Sequence, residues 1–67
     1  MENNFRVLLA EKKLRMTDVH EVTGVSMTTL GNLYHERTSN PSLQVLKKLC
    51  EALDCTLDEL IPMEEQN

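Results

Sequence analysis

The 67 residues are expected to form one compact domain, 1–67, without room beside it for an effector-sensing one, because so short a chain buries a small share of its surface. At 40% hydrophobic but 3% aromatic, the core has to be built from Leu, Val, Met and Ala, which favours packed helices over an aromatic-rich barrel. The net charge of -4 and a pI near 5.0 weigh against a polyanionic partner.

Phe5, Leu8 and Leu9 recur at i, i+3 and i+4, and Ala10, Glu11, Lys12 and Lys13 extend the segment, so residues 4–13 are expected to form a first helix with Leu14 turning into the core. Thr17 is expected to cap a second helix over 18–23, with Val19 and Val22 as its apolar edge and Gly24 as its stop. Val25 then points inward and Ser26 caps a third helix. Its Leu30, Leu33 and Tyr34 bury one face and its end lies near His35, which leaves Met27, Thr28, Gly31 and Asn32 outward. The polar stretch from Arg37 to Pro41 reads as a loop. Ser42 caps a fourth helix with the stripe Leu43, Leu46, Leu49, Cys50 and Leu53. Thr56 and Glu59 have capping-box spacing, and Leu57, Leu60 and Ile61 follow with a last turn before Pro62. Residues 63–67 read as a frayed tail, and the apolar surface of Ile61, Pro62 and Met63 reads either as a dimer contact or as part of the fraying.

The charge is unevenly placed along these elements. Residues 1–40 carry five basic side chains (Arg6, Lys12, Lys13, Arg15, Arg37) and five acidic ones (Glu2, Glu11, Asp18, Glu21, Glu36), whereas residues 41–67 carry two basic and six acidic. The N-terminal part can therefore face a polyanion while the acidic part turns away.

Cys50 and Cys55 lack the paired spacing or neighbouring histidine of a zinc site; no metal and no cofactor is expected, and Cys50 reads as a small core residue. His20 and His35 have no partner set at helical spacing, and the sequence shows no nucleophile–base pair, carboxylate dyad or phosphate-binding glycine loop, so no enzyme is expected. No transmembrane span or signal peptide is legible, which places the expected location in the cytoplasm.

The informative stretch is Val19, Gly24-Val25-Ser26, Leu30 and Leu33. It sets two short helices around a tight glycine turn, and the second can project its polar face at a width the major groove admits. Thr23-Gly24-Val25-Ser26 with Thr29-Leu30 and Leu33, then Asn40-Pro41-Ser42-Leu43 with Leu46 and Leu49, then Glu51-Ala52-Leu53 leading into Leu57-Asp58-Glu59-Leu60, resemble the phage Cro and lambda-repressor type of helix-turn-helix proteins. The resemblance covers about residues 5–62 and implies an all-α fold: a compact five-helix domain that binds double-stranded DNA as a homodimer, with its third helix in the major groove.

Carried over by position, the resemblance sets Ser26, Met27, Thr28, Asn32 and His35 on the groove side of the third helix. Met27, Thr28, Asn32 and His35 are then the base-reading candidates: Asn can pair bidentately with adenine, and Thr or Met can meet a thymine methyl. Arg6, Arg15, Thr17, Ser26, Arg37 and Asn40 are the phosphate candidates, the hydroxyls and amides because helix N-termini favour anions. Three positions depart from the family pattern. Met16 stands where a glutamine often clamps a phosphate, His20 where an alanine allows close helix approach, and Lys13 where a glycine usually precedes Leu14. A repressor is the function these features imply, and an interaction module such as an antitoxin bound to a toxin is the alternative.

Overall fold

A computed structural model describes residues 2–37 and 41–62. Among them the chain forms five helices and no strand: α1 (Phe5–Lys12), α2 (Met16–Thr23), α3 (Met27–Tyr34), α4 (Leu43–Leu53) and α5 (Leu57–Leu60). Every helix contributes to one apolar cluster, in which Phe5, Val19, Leu30, Leu49, Leu53 and Leu60 are almost wholly removed from water. Phe5 meets the half-buried Tyr34 edge to face, with ring centroids 6.5 Å apart. Leu14 leans on the same cluster, as expected.

The caps explain where the helices begin. Ser26, Ser42 and Thr56 accept the N–H of the residue three positions on, and Glu59 returns its carboxylate to the Thr56 N–H at 2.8 Å. The second helix differs from the sequence expectation: it starts at Met16, and Thr17 lies inside its first turn. The Asp18 carboxylate accepts the Arg15 N–H at 2.9 Å and places a negative charge at the positive end of the helix, which fixes the start without a hydroxyl.

Three apolar positions also depart from expectation. Val22 is 74% exposed: three residues along a helix rotate a side chain by about 300°, so Val22 stands to one side of the narrow contact that Val19 fills. Leu43, the first residue of α4, is 58% exposed beyond the end of the core, and Ile61, expected as spare apolar surface, is 4% exposed and belongs to the core. Met63 lies outside the described residues.

Helices α1, α3 and α4 end in the same way. Lys13, Glu36 and Asp54 adopt left-handed φ values of 57°, 58° and 52°. In each case the next residue's N–H returns to the carbonyl five positions back: Leu14 to Leu9 at 2.9 Å, Arg37 to Asn32 at 2.7 Å and Cys55 to Cys50 at 3.0 Å. The left-handed residue's own N–H bonds the carbonyl three back, at 3.2, 3.1 and 3.4 Å respectively. This closure sets the side chains of residues five apart against each other.

The N-terminal segment is stitched into the body by asparagines. The buried Asn3 side chain donates to the Leu33 carbonyl at 3.0 Å and accepts the Phe5 N–H at 2.8 Å. Asn4 donates its backbone N–H to Leu60 and its amide to the Glu59 carbonyl, joining the start of α1 to α5.

Candidate nucleic-acid interface

The turn between α2 and α3 is built on Gly24, whose φ of 76° is left-handed. A Cβ there would meet no atom within 4 Å, so glycine is required by backbone conformation and not by crowding. Its N–H bonds the His20 carbonyl at 2.8 Å. Three side-chain bonds brace the corner. The Thr23 hydroxyl donates to the Val19 carbonyl at 2.7 Å and accepts the Val25 N–H at 3.1 Å. His20 Nδ1 lies 2.7 Å from the Val25 carbonyl, to which it can only donate. The imidazole thus escapes outward and ties α2 to Val25, the residue before the Ser26 cap, so the bulk at this position is accommodated without entering the core.

With Val25, Leu30 and Leu33 buried beneath it, α3 holds a fixed outer face. Thr28 and His35 are exposed, Met27 is 38% exposed, and Gly31 and Asn32 are half-buried. The ring of His35 packs edge-on against Tyr34, with centroids 5.1 Å apart. Asn32 is engaged already: its Oδ1 accepts from Arg37 Nε at 3.3 Å. Ser26 Oγ accepts the Thr29 N–H and donates to Thr29 Oγ1 at 2.9 Å, so its hydroxyl serves the cap.

The phosphate candidates separate into groups. Arg6 and Arg15 share the rim of one cleft between α1 and α2, floored by Leu9, Leu14, Met16 and Tyr34. Thr17 is exposed in the first turn of α2, and Arg37 sits at the C-terminal end of α3. Asn40 lies outside the described residues. Met16, which has no amide for a phosphate, packs against the core instead. Sequence reasoning missed Asn3, the His20–Val25 bond and the Asn32–Arg37 pair; only the last had a signal, the five-residue spacing across a helix end.

No helix among the described residues is long and apolar enough to cross a membrane. The chain is similar to a protein of Bacillus subtilis (strain 168) named "Uncharacterized HTH-type transcriptional regulator YozG", with 29% identity over 58 residues that cover 87% of this chain and 69% of that protein. Residues 4–66 match the profile of the Cro/C1-type HTH DNA-binding domain, and with the braced turn, the uncovered outer face of α3 and the five-helix core already in place, the chain belongs to that DNA-binding family.

Proposed function

We propose that the protein is a transcriptional repressor that occupies an operator in duplex DNA as a homodimer, acting as a single domain over residues 1–67. The observation that carries this reading is the braced unit of α2, Gly24 and α3, which leaves Met27, Thr28 and His35 exposed and Asn32 half-buried along one short helix and its C-terminal cap. A helix presented in this way fits the major groove, and one such reading head makes too few contacts for useful affinity, which is why two copies are invoked. Arg6, Arg15, Thr17 and Ser26, with Asn40, serve the phosphates and fix position without specifying sequence. The named regulator of Bacillus subtilis supports a role in transcription.

Thr28→Ala and Asn32→Ala test the assignment by titration against cognate and scrambled duplexes. Each is expected to weaken cognate binding by about 1–3 kcal/mol and to leave scrambled DNA nearly unaffected; equal loss on both would remove the residue from base reading. The second reading is a toxin-binding antitoxin. It draws on the six acidic residues against two basic ones after residue 40, and a basic protein recovered in stoichiometric complex, with no duplex bound at low salt, would favour it.

A further inference from the structure

We propose that Arg37 sets the base preference of the third helix by holding the Asn32 amide with its oxygen turned to the guanidinium, so that the pair offers only donors and selects guanine. The inference rests on the reading above that Asn32 faces the bases.

A free asparagine carries one acceptor and two donors and pairs with the N7 and N6 of adenine. A guanidinium has no acceptor, so only Oδ1 of Asn32 can face it, as the 3.3 Å contact with Nε shows. What remains for a base is the two amide hydrogens of Asn32 and the further N–H groups of Arg37. Guanine presents two adjacent acceptors, N7 and O6, to the major groove; adenine places an amino donor beside N7, where it would oppose a second donor.

The pairing is built into the backbone. The closure at Glu36 brings the Arg37 N–H to the Asn32 carbonyl at 2.7 Å and so sets these two side chains side by side. The equivalent pairs at the ends of α1 and α4 are Leu9 with Leu14 and Cys50 with Cys55; only α3 has a polar pair, and it lies on the helix assigned to the groove. The bond is exposed in the free protein, and removal of water on docking strengthens it.

The test is selection from random duplexes by the full chain and by Arg37→Ala and Asn32→Ala, with circular dichroism melts establishing that each variant folds. The wild type is expected to enrich guanine at one position of each half-site. Asn32→Ala loses that preference, Arg37→Ala relaxes it toward adenine while other positions hold, and 7-deazaguanine at that position weakens wild-type binding roughly tenfold. An adenine at the Asn32-dependent position, unchanged in Arg37→Ala, would overturn the inference and leave base reading by Asn32 intact. So would an equal loss on all sequences in Arg37→Ala with the preferred base unaltered, which assigns Arg37 to a phosphate. An Asn32→Ala profile identical to wild type at every position would instead remove the reading on which the inference rests.

Discussion

At the scale of single residues, Lys13, Glu36 and Asp54 hold a left-handed backbone that is costly for a residue with a side chain. Lys13 holds φ at 57° with a side chain that clashes there, and the glycine of the resembled family at this position has its physical reason in that angle. Lys13→Gly is expected to stabilise the chain by about 0.5–1 kcal/mol, because relief of the clash exceeds the added unfolded-state entropy. A thermal melt should show the midpoint rise by several degrees. Of the left-handed residues Lys13, Glu36 and Asp54, only aspartate is a type that visits this region readily, so the residue types announce neither Lys13 nor Glu36. Cys55 is a second local case. Burial first, then the neighbouring Cys50, pushes its thiol up to about 11 from 9.0. The folded state thus favours the protonated thiol: its contribution to stability is present below about pH 9 and is lost as pH rises toward 11. Alkylation followed by mass spectrometry should find Cys55 slower than a free thiol at pH 8, with its rate still climbing above pH 10; a plateau by pH 9 would contradict the shift.

At the scale of elements, the sequence was legible wherever a cap is a hydroxyl and the stripe is wide. Ser26, Ser42 and Thr56 act as caps as expected, and the helix-turn-helix lies where the spacing around Gly24 puts it. The start of α2 was not legible because Asp18, three positions inside, closes the turn on the Arg15 N–H in place of a cap hydroxyl. Asp18→Ala is therefore expected to cost about 1 kcal/mol in urea unfolding, whereas Thr17→Ala stays within a few tenths; the reverse order would restore Thr17 as the cap. Val22 and Leu43 show the other failure. Periodicity names a face but not its width, and short helices in a small core cover only the central positions. On the candidate interface, the outward positions of α3 followed from the buried Leu30 and Leu33, while the Asn32–Arg37 bond depended on the left-handed Glu36 and stayed hidden.

At the scale of the whole molecule, Asn3 and Asn4 lock the N-terminal segment to α3 and α5, so α1, which carries Arg6, is held relative to the helix-turn-helix. A net charge of -4 is compatible with DNA because Arg6, Arg15 and Arg37 all precede residue 40, while the acidic surplus follows it. Each phosphate contact releases counterions, so affinity is expected to fall linearly on a log–log scale as salt rises. Operator recognition by a pair of these reading heads is tested by selection of random duplex DNA with the purified protein, the mass of the complex being determined in solution. The expected result is an enriched palindrome with half-sites about one helical turn, roughly 34 Å, apart and two chains per duplex. No enrichment and no binding even at low salt would contradict it.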